Sequence, residues 1–252
     1  VRWLWVIGLL LVVACSPDEE VGSGGESGPT ASPSSAVATE AAEDDLLLHV
    51  PPGGEGKRPL VLLFHGTPGA PEQLAQDTRF NRLADEEGFV VAYPDPYLEI
   101  GALRDLIDRL VAEEGVDPRR VYAGGFSRGA SLVYDLAVRL PDRIAAFAPV
   151  SGLPPSDFSP RRAVPLITFQ GGRDNLAAGF PSTNRTWAKA AGCEQPEVAE
   201  IRMYGGPARR SIAQCDDGAV HAVYELPRMG HEWPREATGL IWEFFEAHRL
   251  GG

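Results

Sequence analysis

The sequence predicts an α/β fold, a mostly parallel central sheet with helices packed on both faces. Three observations carry this expectation. Short, continuous apolar runs such as "PLVLLF", "IAAFAPV" and "VPLITFQ" read as strands buried on both sides. Amphipathic stretches such as "LRDLIDRLVAEEG" alternate with them at helical spacing. The apolar runs end in turns rich in Gly, Pro and Asp, and in such sheets sites gather where strands end and loops begin.

The chain has 252 residues, enough for one large α/β domain or two small ones, and no internal repeat is visible. Residues 1–14 contain "WLWVIGLLLVVA" after Arg2, an uncharged apolar run with the proportions of a signal peptide. "VVAC" follows the pattern of the bacterial lipoprotein box, so Cys15 is expected to carry the lipid. That anchor would be the chain's sole attachment to a membrane, and it places the protein on the cell envelope, or secreted, outside the cytoplasm.

Residues 15–45 carry no apolar period and are built from Gly, Ser, Pro, Ala, Thr and acids, the composition of a flexible tether. Eight acidic residues and no basic ones fall between Ser16 and Asp45, so much of the formal charge of −12 is local to the tether. Negative charge argues against a nucleic acid partner. With Cys15 assigned to the anchor, Cys193 and Cys215 remain, and in an oxidising compartment they read most simply as one disulfide; two buried thiols are the alternative. No paired-Cys or paired-His spacing suggests a metal, and nothing in the sequence requires a cofactor.

The folded domain is expected over residues 46–252. "LLLHV" begins as a strand, and "RPLVLLFHG" is the first strand buried on both faces. "RFNRLADEEG" reads as a helix, followed by a strand from Phe89 to Tyr93 that prolines stop. Leu103 to Gly115 is an amphipathic helix with a terminal glycine. "RRVYAGGF" is a strand and "ASLVYDLAVRL" a helix that ends before Pro141. "IAAFAPVSG" and Val164 to Phe169 supply two more strands, "AVHAVYELP" a late one, and "EATGLIWEFFEAHRL" the last helix.

Gly125-Phe126-Ser127-Arg128-Gly129 matches G-x-S-x-G, with a strand before it and a helix starting near Gly129 after it. That order suits a nucleophilic serine raised on a sharp strand-to-helix turn. Among five histidines, His49, His221 and His248 lie in secondary structure and read as structural or solvent-exposed, and His65 belongs to the "HG" turn. His231 lies in a loop after the last strand, with Pro234 suited to the first turn of the next helix, and is the candidate base. Asp174, in the turn after the strand ending at Phe169, is the candidate third member. Oxyanion donors are expected from the backbone N–H groups of Arg128 and of Thr67, since Pro68 has none.

The motifs "HGTPG", "GGFSRGAS", "GGRDN", "GHEWP" and "IWEFFEAHR", in this order, resemble the polyhydroxybutyrate depolymerase and feruloyl esterase group of α/β-hydrolases. The resemblance covers most of residues 46–250 and implies a serine esterase using Ser127, Asp174 and His231 through an acyl-enzyme. The implied substrates are feruloyl or acetyl esters of polysaccharides, or hydroxyalkanoate polyesters. It also matches Cys193 and Cys215 to positions often bridged. Three departures surround the acyl pocket: the short segment Pro96 to Leu103, "NLAAGF" after Asp174, and Arg235 after "HEWP". Little room for a lid exists between Val150 and Val164, which suggests an open site for a bulky or polymeric ester. A peptidase, an acyltransferase and an inactive surface binding protein are the other readings; the complete serine, acid and histidine set speaks against the last.

Overall fold

The computed structural model describes residues 46–53 and 56–251. The expected signal segment, lipidated Cys15 and tether all lie outside the described residues. Among the described residues, no helix is long and apolar enough to cross a membrane.

Among the described residues, nine strands form one sheet: β1 (Leu47–His49), β2 (Arg58–Phe64), β3 (Val90–Tyr93), β4 (Val116–Phe126), β5 (Ala146–Val150), β6 (Leu166–Gly171), β7 (Glu197–Met203), β8 (Gly206–Gln214) and β9 (Val220–Leu226). Their spatial order is β1-β3-β2-β4-β5-β6-β9-β8-β7. The six central strands, β3 to β9 in that order, run parallel. Antiparallel pairings close both margins, β1 on β3 at one side and β9-β8-β7 at the other.

Helices cover both faces because the central strands are apolar on both. Along β2, Leu60, Leu62 and Phe64 face one core while Val61 and Leu63 face the other, all fully buried. The first core takes in Leu103, Ile107 and Leu110 of α3 (Ile100–Glu113), Val133 and Leu136 of α4 (Arg128–Arg139), and Trp187 of α5 (Phe180–Ala190). The second takes in Leu74 of α1 (Pro71–Thr78), Phe80 of α2 (Phe80–Glu87), and Ile241, Trp242 and Phe245 of α6 (Ala237–Glu246). There Phe89 stacks on Trp242 with centroids 3.9 Å apart, and Tyr122 stacks on Phe245 at 4.8 Å.

Two helices and a hairpin lie where sequence pattern placed nothing. α1 and α5 are polar segments that bury only a few residues each, and both begin beside a proline. β7 and β8 mix charged and apolar residues without a clean period and are only partly covered, as suits an edge hairpin. One local expectation is corrected: Pro234 is not in the first turn of the last helix. The chain makes a turn after it, the Pro234 carbonyl accepts the N–H of Ala237, and α6 begins only there.

Cys193 and Cys215 are joined in a disulfide across 22 residues. It ties the end of α5 to the end of β8, beside the backbone bond from Glu194 N–H to the Gln214 carbonyl (2.8 Å). A loop of that length contributes on the order of 3 kcal/mol, and the bond suits an oxidising compartment.

His221, in β9, is 5% exposed and its Nε2 has no hydrogen-bond partner. Burial lowers its pKa from 6.5 to about 4, so the fold holds a neutral ring that the unfolded chain protonates first. The contribution is intact above pH 6.5 and is lost as pH falls from there toward 4, by roughly 3 kcal/mol. Urea unfolding of the wild type and of His221→Val at pH 7 and pH 4.5 checks this. The wild type is expected to lose more stability on acidification than the variant.

Candidate active site

The carboxyl ends of β4, β6 and β9 bring the three candidate side chains together. β4 runs into Ser127, and α4 starts at the next residue, Arg128, one position before the expected Gly129. Ser127 has φ 54° and ψ −111°, a backbone conformation that an L-residue adopts only under constraint. The constraint is visible on both sides of the turn. Ser127 N–H donates to the Val150 carbonyl of β5 at 3.0 Å, and its own carbonyl accepts from Ser131 N–H at 3.1 Å.

The glycines of the motif are required by contact. A Cβ at Gly129 would lie 2.1 Å from the Phe64 carbonyl oxygen, and one at Gly125 would lie 2.6 Å from the Gly129 backbone. Only glycine lets α4 start this close to β2 and β4.

His231 lies in the loop between β9 and α6. Its Nε2 is 2.8 Å from Ser127 Oγ, and its Nδ1 is 3.1 and 3.0 Å from the two oxygens of Asp174. The Asp174 side chain is fully buried, whereas that of His231 is 31% exposed, so the ring is partly open to solvent. Asp174 Oδ1 also accepts the N–H of Leu176 at 2.8 Å, which fixes the carboxylate plane. Gly171 and Gly172 let the loops of Asp174 and His231 touch: a Cβ at Gly171 would lie 2.5 Å from the carbonyls of Met229 and Gly230. Arg173 N–H closes the contact on the Met229 carbonyl at 2.9 Å.

The loop after β2 lies against the elbow. A Cβ at Gly66 would stand 3.1 Å from both Ser127 Cβ and the Phe126 ring. Thr67 follows, exposed, its Oγ1 2.7 Å from the Tyr97 hydroxyl. Two of the other histidines have partners of their own: His49 pairs with Asp85 (2.8 Å), and His248 Nδ1 is 2.6 Å from the Phe244 carbonyl. Between Ser151 and Pro165 the chain forms no helix or strand, so no lid element stands there.

A set of contacts around His231 has no counterpart in the sequence reading. Glu232 Oε1 accepts the N–H of Gly230 (3.2 Å) and the hydroxyl of Tyr204 (2.6 Å), bracketing the histidine from both sides. Ser151 Oγ donates to the Glu232 carbonyl at 3.3 Å. Tyr204 sits at φ 54° in the turn joining β7 to β8, where asparagine or glycine is the usual residue. Its hydroxyl reaches Glu232 from that strained position, and the bond to Glu232 raises its pKa. Behind this bracket lies a cavity of about 510 Å³, lined among others by Asp77, Arg79, Trp233 and Arg235; Ser127 and Asp174 do not border it.

Removing the Tyr204 hydroxyl should loosen the histidine loop rather than unfold the domain. Tyr204→Phe is expected to lower kcat about three- to tenfold, with KM changed little, as a hydrogen bond to a carboxylate at a partly exposed position would give. Steady-state kinetics together with a thermal midpoint within a few degrees of wild type check this.

Sheet, elbow and hydrogen-bonded Ser–His–Asp chain define a serine hydrolase of the α/β-hydrolase class. The "Esterase PHB depolymerase" family model matches residues 45–104. A protein described as an esterase, NocK of Nocardia uniformis subsp. tsuyamanensis, is 28% identical over 240 residues, covering 74% of this chain and 70% of that protein. A bifunctional acetylxylan esterase/xylanase of Neocallimastix patriciarum is 32% identical over 242 residues. That match takes in 84% of this chain but 34% of that longer protein. The solved acetyl xylan esterase of Aspergillus awamori shares the fold with a TM-score of 0.64 at 17% identity, over 80% of this chain and 93% of that one. The chain is a carboxylic ester hydrolase, and its residues 45–104 resemble the Esterase PHB depolymerase family.

Proposed function

We propose that Ser127 is the nucleophile, His231 the general base and acid, and Asp174 the residue that holds the imidazole. The observation that carries this is the unbroken set of contacts from Asp174 through His231 to Ser127 Oγ, all between 2.8 and 3.1 Å. His231 Nδ1–H donates to Asp174, leaving Nε2 free to accept the serine proton as Oγ attacks the ester carbonyl. The oxyanion is met by the backbone N–H groups of Arg128 and Thr67, in the two loops that meet at Ser127. The alcohol departs with the proton from His231, and water then hydrolyses the acyl-enzyme by the same route.

The substrate we propose is a bulky or polymeric ester, first of all an acetylated or feruloylated polysaccharide. The open carboxyl edge and the 32% identity to an acetylxylan esterase/xylanase support this. Hydroxyalkanoate polyesters are the second class, supported by the family model. Action outside the cytoplasm, on a chain tethered through lipidated Cys15, belongs to the same proposal and is supported by the Cys193–Cys215 disulfide.

A panel of acetyl-xylan, feruloyl, hydroxybutyrate oligomer and short p-nitrophenyl esters tests the reading. Turnover of acetyl-xylan above the small esters is expected. Turnover of peptides or acyl acceptors alone would overturn it.

A further inference from the structure

Arg128 is unusual in its place. It is the first residue of a 12-residue helix, where the dipole disfavours a cation, and no acidic residue lies in that first turn to offset it. It is exposed, and its guanidinium stands 5.0 Å above the ring of Tyr97, a contact that aims the group without neutralising it. No carboxylate pairs with it among the described residues. Tyr97 is itself 58% exposed and is held on both sides, by Thr67 Oγ1 at its hydroxyl and by Asp95 Oδ1 at its backbone N–H (2.9 Å). The loops after β2 and β3 and the start of α4 thus join in one rim, Thr67, Tyr97 and Arg128, that ends beside the nucleophile.

We propose that this rim reads an ionised carboxylate carried by the substrate apart from its scissile ester. The inference rests on the ester-hydrolase site proposed above and adds a charge preference to it. The guanidinium supplies the fork for a carboxylate, and its stacking on Tyr97 holds that fork at the rim. The chemistry fits a uronic acid branch beside an acetyl group on a polysaccharide, and equally the free acid end of a hydroxyalkanoate oligomer.

The test compares matched pairs. One pair is acetylated xylo-oligosaccharide with a uronic acid branch, against the same material with that carboxyl reduced to the alcohol. The other is the hydroxybutyrate dimer as free acid, against its terminal amide. For at least one pair, the wild type is expected to favour the acid about tenfold in kcat/KM at low salt, falling toward unity in molar NaCl. The pair that shows the preference identifies the source of the carboxylate. Arg128→Gln is expected to bring that ratio near one, and Arg128→Lys, which keeps the charge but loses the fork, to leave an intermediate ratio. Because each ratio is taken within one variant, any disturbance of the backbone at position 128 cancels. A wild-type ratio of one for both pairs, or an unchanged ratio in Arg128→Gln, overturns the charge reading while leaving the hydrolase intact. Absence of turnover for every member overturns the proposed function itself.

Discussion

Ser127→Ala is expected to lower kcat by about a million-fold while leaving the fold in place. The size follows from the attack itself: without Oγ no acyl-enzyme forms, and only the oxyanion donors and substrate binding remain to help water. The fold should persist because the turn is held by its neighbours. Val150 and Ser131 bind the backbone on either side of residue 127, and the close approaches at Gly125 and Gly129 do not involve the serine side chain. Alanine keeps the positive φ and its strain. Ser127→Gly, equally inactive, is expected to unfold at higher temperature than Ser127→Ala, by roughly 1 kcal/mol of relieved strain. A melting series of the three proteins shows whether stability is spent on raising the nucleophile.

Asp174→Asn should cost about 10⁴-fold in kcat with little change in thermal midpoint, and the structure explains the size. Asp174 Oδ1 accepts the Leu176 N–H, so an asparagine would keep its carbonyl oxygen there. Its NH₂ would then occupy the Oδ2 position, 3.0 Å from His231 Nδ1, and donate to it. The ring proton would move to Nε2 and point at Ser127 Oγ, and that nitrogen could no longer accept the serine proton. The damage lies in the tautomer while the geometry is kept, so KM should change little. A large rise in KM at near-normal kcat would show that Asp174 serves substrate binding instead.

The parts of this site that sequence made legible share a physical cause. Gly125, Gly129, Gly171 and Gly172 stand where backbone meets backbone, and the apolar strands before them leave no doubt about where each loop begins. Asp174 and His231 could therefore be assigned to loops at one edge of the sheet. The β7–β8 hairpin was not legible, because its strands bury little and its turn is Tyr-Gly rather than Asn-Gly. With the hairpin went Tyr204, which reaches His231's neighbour Glu232 across 28 residues of chain. The Tyr97 and Arg128 contact was hidden for a similar reason, since it joins a loop to a helix start distant in sequence and belongs to no periodic pattern. α1 and α5 were missed because their few buried side chains, such as Leu74 and Trp187, are too sparse to mark an apolar face.

The central claim is that Ser127 Oγ, activated by His231, is the atom that attacks. A fluorophosphonate probe followed by intact mass and peptide mapping tests it most directly. One probe adduct per chain on the peptide holding Ser127 is expected in the wild type, none in Ser127→Ala, and strongly slowed labelling in Asp174→Asn. An unlabelled wild type, or a label that survives Ser127→Ala at its full rate, would contradict the account.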